Sequence, residues 1–269
     1  MPNSIKTVLI TGASSGIGKA LALEYAKRGW NLGLMARSKG KLEEVAKSCE
    51  ELGAKTICSI GDVSKEEDCQ RFVSDTKSAF NTINVLINNA GISMRGVFND
   101  TDLSVLKSLM DVNFWGTVYC SKYALPHILK EQGSIVGVSS IAGFKGLPAR
   151  TGYSSSKFAI QGFLESLRCE NLETGLHVLI ACPGYTASSI RENALNSKGE
   201  AQGKTPLKED KLMSAETVAD KIANAIDAKK TYLILTTQGK LIVWINKWWP
   251  KLADSLTYNV VKKEADSPF

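Results

Sequence analysis

Thr7-Val8-Leu9-Ile10-Thr11-Gly12-Ala13-Ser14-Ser15-Gly16-Ile17-Gly18 decides how this chain folds. Thr7 to Ile10 is a short β-branched and apolar run, the pattern of a buried strand. A glycine-rich turn follows, and Lys19 to Arg28 then reads as a helix. A strand, a glycine turn and a helix N-terminus together form a phosphate site. The glycines let the backbone approach a diphosphate, and the helix end offers free N–H groups and the positive pole of its dipole. The spacing is Gly-x3-Gly-x-Gly, distinct from the GxGxxG spacing of the usual dinucleotide fingerprint.

The same alternation continues outward. Asn31–Ala36 reads as a second strand, Ser38–Leu52 as an amphipathic helix closed by Gly53, and Lys55–Ile60 as a third strand. Ser64, with Glu67 three residues later, has the form of a capping box for the next helix. Further strands are expected at Asn84–Ile87, Gly133–Ser140, Leu176–Ala181 and Tyr232–Leu235. Helices are expected at Asp102–Lys130, Thr151–Glu173 and Ser214–Ala228. Strand alternating with helix in this way predicts an α/β fold with a doubly wound parallel sheet.

Composition agrees with one domain. The chain has 269 residues, 43% hydrophobic and 22% charged, and only 7 prolines, with no low-complexity linker. The net charge of +6 comes from scattered lysines, without the basic stripe and interleaved aromatics of a nucleic-acid binder. Six cysteines without a CxxC pair suggest reduced thiols and a cytoplasmic setting. The two histidines, His127 and His177, lie far apart, so no metal site is expected. No signal peptide is read ahead of the first strand, and no run reaches the roughly 18 apolar residues of a membrane span.

The polar motifs fall at the C-terminal ends of predicted strands, where such sheets bind ligands. An NAD site would place an acid at the end of the second strand to meet the ribose 2′-hydroxyl. Arg37 stands there, and Glu43 is the first acid after it. A guanidinium suits a 2′-phosphate, which predicts NADP(H) over NAD(H), with a plain surface arginine as the alternative. Asp62 ends the third strand, where it would meet an adenine amino group or simply shape a turn. Asn88-Asn89-Ala90-Gly91 offers amides to cross-link strand ends and small residues to admit a flat ring. Asn113 sits inside a predicted helix, where Asn is a poor helix former, and so marks a surface position or a local distortion that frees a carbonyl.

Tyr153 and Lys157 are four residues apart and share a helix face. A phenol with a pKa of about 10 is poorly matched to neutral pH, and an ammonium nearby is expected to lower it. Ser140 lies one loop upstream, its hydroxyl available to an oxygen that Tyr153 also touches.

TGASSGIG, DV, NNAG, VSS, YSSSK and PG, in that order, resemble the short-chain dehydrogenase/reductase family from about Lys6 to about Ile234. The resemblance implies a single-domain Rossmann-like sheet of about seven strands flanked by helices. It implies that Tyr153 exchanges the substrate proton, Ser140 polarises the carbonyl oxygen, Lys157 lowers the Tyr pKa and binds ribose hydroxyls, and Asn113 holds a relay water. Gly12, Ser14, Ser15, Gly16, Ile17 and Gly18 would form the phosphate turn, with Arg37 beside it. Asp62 and Val63 would hold adenine, and Asn89, Ala90 and Gly91 would flank the ribose. Pro183, Gly184 and Thr186 would fix the carboxamide, with Ser188 where many members have Thr. Tyr185 is a substrate candidate, and the polar stretch 188–213 matches the family's mobile lid. A homodimer or homotetramer is the family default.

The catalytic domain is expected to span 1–237. Beyond it, Lys240-Leu-Ile-Val-Trp-Ile-Asn-Lys-Trp-Trp-Pro-Lys251 puts three of five tryptophans in one helix-like run. Three readings of this 238–269 extension stand: a helix packed on the protein or a second copy, peripheral membrane contact through 240–251, and a wall of the substrate site. A weaker resemblance of this end to the dehydrogenase/reductase member 7 branch, which includes lipid-ketone reductases, implies a hydrophobic ketone substrate and a place in lipid metabolism. The rival is an NADP(H)-binding regulatory or membrane-peripheral protein with little turnover.

Overall fold

The computed structural model describes residues 5–184, 186, 190–203, 212–264 and 267–269. Seven strands form one sheet: β1 (Thr7–Thr11), β2 (Asn31–Ala36), β3 (Thr56–Ile60), β4 (Val85–Asn88), β5 (Ser134–Val138), β6 (His177–Cys182) and β7 (Tyr232–Ile234). Their order is β3-β2-β1-β4-β5-β6-β7, and every pairing is parallel. Sequence order reverses between β1 and β4. This is the switch point of a doubly wound sheet, and a crevice opens there at the strands' C-terminal ends.

A parallel sheet covered on both faces needs strands apolar throughout. β1, β4, β5 and β6 are buried along their whole length. Alternation along β1 divides the interior. Val8 and Ile10 join one core with helices α1 (Gly16–Lys27), α2 (Lys39–Glu51) and α7 (Ala215–Asp227). Leu9 joins the other, with α3 (Glu66–Phe80), α5 (Gly116–Lys130) and α6 (Thr151–Glu170). A short helix, α4 (Leu103–Leu109), precedes α5.

Between α4 and α5 the residues Met110–Trp115 form a π turn, with Asn113 in it and fully buried. The distortion expected at Asn113 is therefore present, and the surface alternative is not. Ser214 caps α7 as expected, accepting from the Thr217 N–H. The capping box at Ser64 does not form. Helix α3 starts later, after Lys65, and the Ser64 hydroxyl bonds Asp62 Oδ1 at 2.9 Å instead. The Asp62 carboxylate thus diverts the serine from its predicted cap, while Asp68 accepts the Asp62 backbone N–H at 2.9 Å.

The C-terminal run also differs from expectation. It is two helices, α8 (Thr237–Trp248) and α9 (Pro250–Lys262), broken at Trp249. Pro250 cannot continue a helix but is preorganised to begin one, so it starts α9. Only Gly239 in α8 and Ala253, Thr257 and Val261 in α9 are buried.

Gly18 packs so tightly on the preceding turn that a Cβ there would lie 2.1 Å from the Gly12 carbonyl oxygen and 2.6 Å from Asn89 Nδ2. Gly18→Ala should therefore lower stability by about 2 kcal/mol or more and weaken the dinucleotide binding expected at this turn. Gly40→Ala, where nothing lies within 4 Å, should leave both unchanged or raise stability slightly. Urea denaturation and a fluorescence titration with NADPH read the two variants.

Candidate active site

The crevice at the switch point is one continuous cleft of about 1920 Å³ that runs from the glycine turn to the C-terminal helices. At one end Gly12, Ser14, Ser15, Gly16 and Ile17 form its floor. Gly12 has a φ of +65°, and a Cβ there would meet Ala90 Cα at 2.9 Å, so both the conformation and the space require glycine. Gly18 does not face the cleft; it is buried beneath the turn.

Asn89 ties the turn to β4. Its amide donates to the carbonyls of Thr11 at 3.0 Å and Gly12 at 3.3 Å, while the Thr11 hydroxyl accepts the backbone N–H groups of Asn89 and Ala90, each at 3.0 Å. The amide cross-link expected between strand ends is thus made by Asn89. Asn88 turns away and donates to Ser121 Oγ at 3.1 Å.

Arg37 lines the cleft where β2 ends, and so do Asp62 and Val63 after β3 and Ala90 and Gly91 after β4. Asp62 is at once at the cleft and in a turn, because its Oδ1 also accepts the Ser64 N–H at 3.0 Å. Lys41 lines the same corner as Arg37. Sequence reading missed it, although its place in the first turn of the helix after β2 was a usable signal. These residues, a positive-φ glycine against a backbone that leaves no room for Cβ, a helix N-terminus and two cations, fit the phosphates of a nicotinamide dinucleotide.

Midway along, Ser140, Tyr153 and Lys157 face the cleft together. Lys157 is only 3% exposed, and its Nζ donates to the Val138 carbonyl at 2.9 Å and lies 5.7 Å from the Tyr153 ring centroid. Asn113 stands behind them. Its Oδ1 accepts from the Ile92 N–H at 2.8 Å, and its Nδ2 donates to the Ile92 carbonyl at 3.0 Å and Ser156 Oγ at 2.9 Å. Its own carbonyl accepts the Thr117 hydroxyl at 2.8 Å. A Cβ on Gly91 would touch both Asn113 Oδ1, at 3.2 Å, and Lys157 Nζ, at 3.6 Å, so these groups converge.

The electrostatics correct one expectation. Burial pushes the Tyr153 phenol above its ordinary value and outweighs the opposing pull of its hydrogen bond to Ser140 and of the Arg150 charge. Burial also pushes the Lys157 ammonium down to about 8. Desolvation, not the lysine charge, dominates this pair in the protein alone, since each charged form loses its water.

Pro183, Gly184 and Thr186 follow β6 along the cleft wall, with the Thr186 hydroxyl donating to the Gly184 carbonyl at 3.1 Å. Tyr185 and Ser188 lie outside the described residues, as do 204–211 of the expected lid. The described part of that segment is tied down rather than loose. Leu195 donates to Ser93 O at 2.9 Å, and Arg95 donates back to Leu195 O at 2.8 Å.

The far end is apolar. Leu241 and Ile245 of α8, with Leu256 and Val260 of α9, close it, so the C-terminal extension is a wall of this cleft. Outward, Trp244, Trp248, Trp249 and Leu252 remain exposed. Among the described residues no cluster of metal-ligating side chains occurs, and no helix is long and apolar enough to cross a membrane.

The lowered pKa of Lys157 carries a stability consequence. Between about pH 8 and its unfolded value near 10.5 the unfolded chain holds the extra proton, so stability from this group rises with pH. Wild type should gain up to roughly 3 kcal/mol relative to Lys157→Met over that window, read by urea denaturation at stepped pH.

A sequence profile described as short chain dehydrogenase matches residues 6–199. The 11-beta-hydroxysteroid dehydrogenase 1A of Arabidopsis thaliana is 39% identical over 236 residues, covering 85% of this chain and 67% of that protein. The 11-beta-hydroxysteroid dehydrogenase-like 4A of the same plant is 37% identical over 249 residues, covering 92% and 82%. Among solved structures, a short chain dehydrogenase/reductase from Burkholderia phymatum in complex with NAD superposes with a TM-score of 0.81 at 23% identity, covering 94% of this chain and 96% of that one. An alcohol dehydrogenase from Thermococcus sibiricus complexed with 5-hydroxy-NADP gives 0.75 at 24% identity, covering 85% and 94%; both likenesses concern the fold. With its parallel sheet, its glycine turn and this profile match, the chain belongs to the short-chain dehydrogenase/reductase family of oxidoreductases.

Proposed function

We propose that this chain is an NADP(H)-dependent oxidoreductase that reduces the ketone of a hydrophobic substrate, or oxidises the matching secondary alcohol. The observation that carries this reading is the single cleft in which Tyr153, Ser140 and Lys157 stand between a cation-lined phosphate corner and an apolar wall. The cofactor, when bound, supplies the hydride. The glycine turn and α1 N-terminus would hold its diphosphate, with Arg37 and Lys41 on the 2′-phosphate, Asp62 and Val63 at adenine, and Asn89, Ala90 and Gly91 at the ribose. Pro183, Gly184, Thr186 and Ser188 are assigned to the carboxamide end.

Tyr153 acts as the acid in reduction. Its raised pKa keeps the phenol protonated at neutral pH, ready to give its proton to the substrate oxygen as charge develops there. Ser140 holds that oxygen in line, since its hydroxyl sits beside the phenol. Lys157, held by the Val138 carbonyl, carries the replacement proton, and Asn113 keeps the Lys157 pocket in shape and continues the relay through its carbonyl. Tyr185 is assigned to the substrate side. The steroid-dehydrogenase names of the plant relatives support a substrate of similar size and apolarity. Domain limits of 1–237 and 238–269 follow the switch from sheet to wall. Exposed Trp115, just before α5, and Phe158 on α6 support a homodimer or homotetramer through those helices. A regulatory NADP(H) binder with little turnover would leave Ser140, Tyr153 and Lys157 without a task.

NADPH consumption against ketones of rising size should increase with apolar bulk, and Tyr153→Phe should lower it about a hundred- to ten-thousand-fold while NADPH binding persists. Arg37→Ala should weaken NADPH far more than NADH. Tight NADPH binding with no turnover on any ketone would turn the reading to the regulatory one.

A second reading concerns location. Trp244, Trp248, Trp249 and Leu252 are exposed on the outer side of α8 and α9, and Lys240, Lys247 and Lys251 accompany them, which supports a cytoplasmic protein resting peripherally on an anionic bilayer. Flotation with anionic liposomes should fall at least tenfold when the three tryptophans are changed to serine; equal flotation of both forms would remove the membrane from the account.

A further inference from the structure

The carboxylate of Glu264, just beyond α9, is buried between two arginines. It lies 3.3 Å from the Arg95 guanidinium and 3.1 Å from that of Arg150, and its side chain is 4% exposed. The two partners belong to different segments beside the cleft. Arg95 follows β4, and its backbone N–H and carbonyl bond Leu195 and the Gln202 side chain in the 190–203 segment. Arg150 lines the cleft and is the residue from which α6 starts, three positions before Tyr153.

Two other polar contacts join the same hairpin to the same loop. Lys145 pairs with Asp254 of α9, and Asn246 of α8 donates to the Phe144 carbonyl at 3.0 Å. Since α8 and α9 bury only four residues between them, hydrophobic packing holds this wall weakly, and the polar contacts have proportionately more to do.

We propose that Glu264 is a positioning residue: an ionic latch that fastens the α8–α9 hairpin across the substrate end of the cleft and joins it to the loop between Ser140 and Tyr153. Breaking it frees the hairpin as a unit, because Lys145–Asp254 is largely exposed on the acid's side and so is a weak second fastening. The latch thereby selects for substrates large enough to use the wall. That last point rests on the oxidoreductase reading; the mechanical one does not.

The test uses the full chain with Glu264→Gln, which keeps shape and removes charge, and Glu264→Asp as a milder variant. Amide exchange of the ligand-free protein should become at least tenfold faster in α8 and α9 for Glu264→Gln, intermediate for Glu264→Asp, and unchanged in β1 to β6. Arg95→Gln combined with Glu264→Gln should add little to either alone. In turnover, KM for a bulky apolar ketone should rise at least fivefold in Glu264→Gln, while KM for a small ketone and NADPH affinity stay within twofold. Unchanged exchange in α8 and α9 overturns the latch, and so does faster exchange throughout the sheet, which would mark a general folding role. Faster exchange confined to the hairpin in a protein that turns over no ketone keeps the latch and removes the oxidoreductase reading instead.

Discussion

The structure depends on how β1 and β4 are held at the point where their chains part. The two strands lie side by side, yet β1 leads to a helix on one face of the sheet, while the chain leaving β4 contributes α5 to the other. That divergence opens a crevice that hydrophobic packing cannot close, because its walls are strand ends whose backbone polar groups need partners. Asn89 bridges it by donating to Thr11 and Gly12, and Thr11 accepts from the opposite strand end. The glycine turn is thus braced rather than free-standing, with Gly18 packed directly beneath it. A turn so held presents its N–H groups in a fixed direction, which is the condition for holding a diphosphate without reordering the chain.

The same economy governs the middle of the cleft. Lys157 is an ammonium with almost no water, kept in place by one carbonyl, and its pKa falls accordingly. Tyr153 is moved the opposite way by the same cause. Burial thus drives apart two groups that titrate close together in free solution and leaves the ammonium, at about 8, below the phenol. The lysine becomes easier to deprotonate, and the phenol holds its proton more firmly. The buried π turn at Asn113 serves this pocket from behind. Both atoms of its amide are spent on Ile92 and Ser156, so the distortion is locked by hydrogen bonds and its position relative to Lys157 is rigid.

At the apolar end the design is looser. The wall made by α8 and α9 turns some apolar side chains inward and leaves tryptophans outward. Its attachment to the body is mostly ionic and polar, through Glu264, Asp254 and Asn246. The glycine-turn end of the cleft is therefore built on the most deeply buried strands, and the apolar end on late, sparsely packed helices. Variation in substrate is easily accommodated by such a division, since the wall can change without touching the sheet.

Local chemistry along the chain determined much of this. Apolar runs of strand length, glycine at Gly12 and Gly18, and a Tyr and Lys four residues apart each have a narrow set of physical uses, and the parallel sheet and the cleft's polar floor follow from them. Asn113 was legible as a distortion because Asn resists helix. Tertiary structure alone decided what depends on neighbours distant in sequence. The sign of the Tyr153 shift came from burial that no four-residue spacing can report. The wall formed by α9 and the meeting of Glu264 with Arg95 and with Arg150 join segments more than a hundred residues apart, and periodicity carries no record of which charges will meet once the chain has closed.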